Sequence, residues 1–190
     1  MALSPWARRG AKLALIAGAV VLTWALVHKA YLLEPQHHLA EHEVAELGAL
    51  GAAAIGSLDV PVAALLVYQG RVIGRGYNTV RRDGNAGGHA EINAISDAMR
   101  SLGPEGLDDL DRAELVLLTT FEPCAMCRGA IIEYRIHRVG LVEPKSLKHH
   151  ARETWKELRY QVTKMKLGPD GLQDSLFRLH PGYDPARDDH

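Results

Sequence analysis

His89-Ala90-Glu91 and Glu122-Pro123-Cys124-Ala125-Met126-Cys127 place three metal-ligand side chains and one surplus carboxylate in two short stretches of the chain. A closed structural zinc site takes four Cys or His ligands. His89, Cys124 and Cys127 supply three, which leaves a coordination position for water beside the free carboxylate of Glu91, an arrangement that suggests chemistry. Cys124 and Cys127 are the only cysteines, so no disulfide framework competes for them. Their three-residue spacing puts both sulfurs on one face of a helix that starts at Pro123. The partial positive charge of a helix N-terminus favours the thiolate, which is the metal-binding form.

These groups need elements that bring them together. Ile92, Ile95, Met99 and Leu102 recur at three- and four-residue spacing and predict the buried face of a helix whose first turn carries His89 and Glu91. Gly87-Gly88 permits a tight entry to it. Val60 to Tyr68 and Arg71 to Tyr77, joined by Gln69-Gly70, predict a hairpin, and Glu114 to Thr120 and Arg138 to Val142 predict two more strands. The alternation of Leu158, Tyr160 and Val162 predicts a last strand over 158–165, and His37 to Ile55 a first helix. Strands interleaved with helices predict an α/β fold, here a three-layer α-β-α sandwich around a mixed sheet of about five strands. Two parallel helices with aligned N-termini would bring the four groups to one mouth of that sheet.

Ala63 to Val142 resembles the cytidine-deaminase superfamily, whose signature is H-x-E followed by P-C-x-x-C. Within it the chain is similar to the branch of tRNA adenosine, cytosine and guanine deaminases. The resemblance extends to Asp59-Val60-Pro61-Val62-Ala63-Ala64, to Gly76-Tyr77-Asn78 and to Thr119 through Ile132, and covers roughly residues 40–145. It implies one zinc ion held by His89, Cys124 and Cys127, and hydrolytic deamination of a nucleobase or nucleoside with Glu91 as proton shuttle. It also implies that Asn78, with the backbone around Ala90 and Glu122, binds and orients the base, and that the chain forms a homodimer. A tRNA-specific adenosine deaminase is the alternative within this class. From another class, Cys124-x-x-Cys127 could exchange thiols and disulfides, a reading that leaves His89 and Glu91 without work.

Leu13 to Val27 is uncharged and apolar, and Arg8, Arg9 and Lys12 precede it with no acidic residue. That composition predicts an uncleaved N-terminal transmembrane helix spanning about 11–33 within a segment 1–36, followed by a deaminase domain 37–167 and a loosely structured tail 168–190. The charge asymmetry predicts a cytoplasmic N-terminus and a periplasmic catalytic domain, the alternative being a cleaved signal peptide and a soluble exported protein. Either placement argues against a tRNA substrate. The chain's formal charge of −1 supplies no global field for a polyanion. Lys145, Lys148, Arg152, Lys156, Arg159, Lys164 and Lys166 nevertheless cluster against only Glu153 and Glu157, either as a solvated helix face or as a nucleic-acid surface. His37-His38 and His149-His150 receive no role, and Phe177 or Tyr183 is a candidate to close over the base.

Overall fold

The computed structural model describes residues 15–24, 39–103, 105–165 and 171–181. The chain divides into two compact units, Met1–Pro144 and Lys145–His190.

The first unit is built on a hairpin. β1 (Ala63–Tyr68) and β2 (Arg71–Tyr77) pair antiparallel, and the two residues between them, Gln69 and Gly70, both have positive φ (49° and 73°), as a type I′ hairpin turn requires. β3 (Leu115–Phe121) pairs antiparallel with β1, and β4 (Arg138–Glu143) runs parallel to β3. The sheet order is β2-β1-β3-β4. The sheet is mixed, as expected, but it has four strands among the described residues.

The missing fifth strand has a simple explanation. Residues 158–163 belong to a helix of the second unit, Leu147–Thr163. Leu147, Ala151, Trp155, Leu158 and Val162 recur at three- and four-residue spacing, and that helical period over seventeen residues outweighs a three-residue alternation at its end.

Three layers do form. The central strands β1 and β3 are buried on both faces. Leu47 of α1 (Glu41–Gly56) packs with Ala63, Leu65, Val67, Val116 and Leu118 on one face. Ala90, Ala94, Ile95 and Ala98 of α3 (Ala90–Leu102) and Ile131 of α4 (Ala125–Glu133) pack with Ala64, Leu66, Leu115 and Leu117 on the other. A four-residue helix, α2 (Val80–Asp83), lies in the connection between β2 and α3. The second unit contains α5 (Leu147–Thr163) and α6 (Leu172–Phe177).

The face that α3 buries is centred on small residues and keeps only part of the predicted one, with Ile95 2% exposed and Met99 packed against the core. Leu102 is 39% exposed, and Ala90, Ala94 and Ala98 are at most 1% exposed. The reason lies in β2. A Cβ on Gly74 would stand 2.2 Å from the Ala94 carbonyl oxygen, and one on Gly76 would stand 2.1 Å from that of Ala90. Helix and strand meet backbone to backbone, so only alanine fits at the helix positions that face these glycines.

The transmembrane expectation is corrected. Residues 15–24 are helical. Among the described residues no helix is long and apolar enough to cross a membrane, which removes the basis for a single-pass protein with a periplasmic catalytic domain. Residues 11–14 and 25–33 of the expected span, His37-His38 and Tyr183 lie outside the described residues.

Two glycine substitutions should move stability in opposite directions. Gly76→Ala forces α3 off the sheet and should cost about 1–3 kcal/mol as an overpacked contact. Gly48→Ala, in the interior of α1 with nothing within 4 Å of the added carbon, should stabilise by up to about 1 kcal/mol. Urea denaturation of both variants checks the pair, and a Gly76→Ala protein as stable as the parent would contradict the contact.

Candidate active site

Strand directions explain why distant residues converge. β1 is antiparallel to both β2 and β3, so β2 and β3 point the same way and end on the same edge of the sheet. The chain leaves that edge twice, once into α3 and once into α4. His89 is the N-cap of α3 (φ −79°, ψ 150°) and Cys124 the N-cap of α4 (φ −74°, ψ 172°). Two helix N-termini therefore face one point.

At that point His89 Nδ1 lies 3.6 Å from both Cys124 Sγ and Cys127 Sγ, and the sulfurs are 3.5 Å apart. A tetrahedral zinc ion with Zn–S of about 2.3 Å and Zn–N of about 2.0–2.1 Å would separate its ligands by about 3.8 Å (S to S) and about 3.6 Å (N to S). The observed triangle fits such an ion to within a few tenths of an ångström. Among the described residues these three are the one cluster of metal-ligating groups.

The charges fit as well. The side-chain contact with the Cys127 sulfur, assisted by His89 and opposed by burial, lowers the Cys124 pKa to about 3. The same contact, burial and the nearby Glu91 push the Cys127 pKa up. Two thiolates cannot coexist there without a cation, and a divalent ion supplies the missing charge.

Glu91 is 3% exposed, and its Oε2 is 3.4 Å from Cys127 Sγ. Burial raises its pKa, against the lowering effect of hydrogen bonds from its own backbone N–H and from Cys127. A carboxyl group held there is suited to accept and return a proton.

The expected base-binding residues border the same edge. Asn78 follows β2 directly, is half-buried, and its backbone N–H donates to the Val62 carbonyl at 3.0 Å. Ala90 is the first residue of α3 and is buried. Glu122 leaves β3 two residues before Cys124, with its N–H on the Glu143 carbonyl at 3.0 Å.

Two positioning residues escaped the sequence reading. Asn93, on α3, donates its side-chain amide to the Tyr77 carbonyl (2.8 Å) and to Thr79 Oγ1 (3.1 Å), the residues on either side of Asn78. The Thr79 N–H in turn reaches the Gly88 carbonyl at 2.7 Å, so one side chain ties the Asn78 turn to the turn that presents His89. Asp59 is 6% exposed and accepts the backbone N–H groups of Arg81 (2.6 Å) and Arg82 (3.1 Å) and the Ser57 hydroxyl (2.8 Å). It caps α2 from a distant part of the chain, where the true N-cap, Thr79, makes no side-chain cap bond. The available signals were a polar Asn inside an apolar helix and an acid at the head of a buried strand, and neither names its partner.

A sheet edge that presents three metal ligands and a buried carboxyl defines a zinc-dependent hydrolase. Residues 39–143 match the cytidine and deoxycytidylate deaminase zinc-binding region, and the chain belongs to that family. The tRNA-specific adenosine deaminase of Agrobacterium fabrum is 42% identical over 103 residues, which cover 53% of this chain and 64% of that protein. The one from Rickettsia bellii is 38% identical over 121 residues, 63% of this chain and 78% of that protein. The tRNA(Ile)-lysidine synthase of Deinococcus radiodurans is 41% identical over 91 residues, and the match spans only 15% of its length. Among solved structures, the guanine deaminase of Bacillus subtilis shares the fold, with a TM-score of 0.58 at 22% identity over 77% of this chain and 98% of that one. The expectation of a membrane-held domain kept away from tRNA therefore loses both supports: no described helix can span a bilayer, and these two deaminase relatives are named for tRNA.

The role of Asp59 can be tested by acidification. Burial opposes its ionisation, but the bonds from Arg81, Ser57 and Arg82 outweigh it and hold the carboxyl below its ordinary value. Its stabilising contribution is therefore whole above about pH 4 and fades as pH falls through the lowered folded value. The difference in thermal midpoint between the parent and Asp59→Asn should be largest near neutrality and shrink on acidification. A difference that grows in acid would contradict the cap.

Proposed function

We propose that the chain is a tRNA-specific adenosine deaminase that hydrolyses adenosine to inosine in a tRNA anticodon loop and releases ammonia. The observation that carries this reading is the 42% and 38% identity to two such enzymes; the His89, Cys124 and Cys127 triangle supports it.

His89, Cys124 and Cys127 are assigned as the zinc ligands. Zinc bound there supplies Lewis acidity that brings the pKa of a water from 15.7 down toward about 7. Glu91 takes the proton from the attacking water and returns it to the ring nitrogen, then takes the proton of the hydroxyl newly added at the ring carbon and delivers it to the departing amine. The water oxygen bonds to C6 of adenine as the exocyclic amine leaves. Asn78 hydrogen-bonds the base. Its side-chain amide has no intramolecular partner among the described residues, so it is available, and the bonds of Asn93 to its neighbours hold its turn. The backbone of Ala90 and Glu122 reads the edge of the base. Homodimerisation belongs to the same proposal, supported by the outward side of α4, where Met126 and Ile132 are 43% and 74% exposed.

Glu91→Ala should retain about one zinc per chain by elemental analysis and lose about 10²- to 10⁴-fold or more in turnover. Cys124→Ser and Cys127→Ser should lose the zinc itself. Substrate is settled by a panel: inosine formed in a tRNA anticodon stem-loop, against ammonia released from cytosine, guanine, adenine and their nucleosides. Deamination of a free base with the stem-loop untouched would sink the tRNA reading. Light scattering at twice the 20.8 kDa chain mass checks the dimer.

A further inference from the structure

The deaminase core leaves one charge pattern without a use. Residues 145–166 hold seven lysines and arginines against Glu153 and Glu157, a net of +5, so the remaining residues together carry −6 in a chain whose total is −1. An acidic body repels a polyanion, and any grip on RNA has to be local. The basic segment also lies beyond residues 39–143, the part that matches the deaminase family.

Within the segment the charges are sorted by face. At 3.6 residues per turn, Lys148, Arg152, Lys156 and Arg159 of α5 fall within a sector of about 80° and spread over about 16 Å of helix axis. Glu153 and Glu157 point away from that sector. Glu153 is paired with Lys145, and Glu157 accepts the Gln161 side-chain amide at 2.9 Å. All four cations of the stripe are exposed, and among the described residues none has an ion-pair or side-chain hydrogen-bond partner. Trp155 and Tyr160, 68% and 60% exposed, border the stripe on either side.

A merely solvated helix face intersperses acids and bases three and four residues apart, because that stabilises the helix. Here Lys148, Arg152 and Lys156 repel one another at that spacing and weaken the helix that carries them. The arrangement gains its return only when a polyanion lies along it. Exposed aromatics beside a cationic track suit a nucleic acid with unpaired bases, which can stack on them.

We propose that this face of α5 grips the phosphodiester backbone of RNA, the cations on phosphates and Trp155 and Tyr160 against loop bases. It rests on the tRNA reading only in the choice of RNA among polyanions.

The test measures binding of a fluorescein-labelled anticodon stem-loop RNA to the full-length zinc-loaded chain by anisotropy, between about 50 and 200 mM salt. Each phosphate contact contributes about 0.7–0.9 to the slope of log affinity against log salt. The combined variant Lys148→Gln, Arg152→Gln, Lys156→Gln and Arg159→Gln should therefore show a slope shallower by about 3 and bind more than about tenfold more weakly at the lowest salt. The charge-keeping variant Lys148→Arg, Arg152→Lys, Lys156→Arg and Arg159→Lys should keep the slope. If the combined variant loses helix content, Lys148→Gln and Arg159→Gln alone, each lowering the slope by just under 1, decide the matter. A slope unchanged by neutralisation overturns the proposal, as does loss of binding to anionic-lipid vesicles with RNA binding intact. Inosine formation is scored on the same protein. Inosine with an unchanged slope defeats the grip alone, and the expected change in slope with no inosine supports the grip while defeating the assigned substrate of the catalytic centre.

Discussion

The contact on which the rest of the site depends is the seating of α3 on β2, where Gly74 and Gly76 leave no room even for a methyl group beneath Ala94 and Ala90. Side chains normally hold a helix about 10 Å from a sheet and let it slide by fractions of a residue. A backbone-to-backbone contact removes that freedom. Because His89 and Glu91 sit on the cap and first turn of this helix, fixing its height above the sheet fixes two of the four reactive groups. Asn93 adds a polar lock from the same helix to the Tyr77 carbonyl and Thr79 hydroxyl, so rotation about the helix axis is restrained along with height.

The other half of the site arrives by a different route. Cys124 and Cys127 are carried by α4, which follows β3, and β3 is central, buried and paired on both sides. The two halves meet because β2 and β3 run in the same direction, and that depends on the single reversed strand, β1, lying between them. Each half ends in a helix N-terminus, and both N-termini bias the groups in front of them toward negative charge. Burial works against that bias: Glu91 is driven toward its protonated form and Cys127 holds its proton. Helix ends that invite anions and a dry pocket that penalises them are reconciled by a cation.

The four side chains that cluster at the sheet edge were legible in the sequence because residue type and short spacing mark them: His-x-Glu and Cys-x-x-Cys need no long-range information. The three-layer α/β arrangement was legible for a similar reason, since β1, β2, β3 and β4 are short apolar runs with turn residues between them. What failed depends on packing or on competing periods. The buried face of α3 was assigned by its large residues, whereas the glycines opposite reward small ones. Leu158, Tyr160 and Val162 alternate like a strand but continue the helical period of α5. The apolar run near the N-terminus has the composition of an anchor, yet no described helix is long and apolar enough to cross a membrane. Asp59 and Asn93 act on residues 22 and 16 positions away, and no local pattern encodes such pairings.

On the proposed reading, in which the substrate is a large polyanion, the separation of charge in this chain has a physical use. Had the body carried the positive charge, long-range attraction would have been spread over the whole surface and would have captured nucleic acid in many orientations. Confining it to a stripe about 16 Å long on α5 limits local attraction to a few phosphates, while the remaining residues carry a net negative charge. Repulsion from the acidic body then discriminates against modes of binding that do not use the stripe, and orientation is selected by what is disfavoured as much as by what is gripped. Such a grip has a bounded dependence on salt, because a handful of exposed cations releases only a handful of counterions.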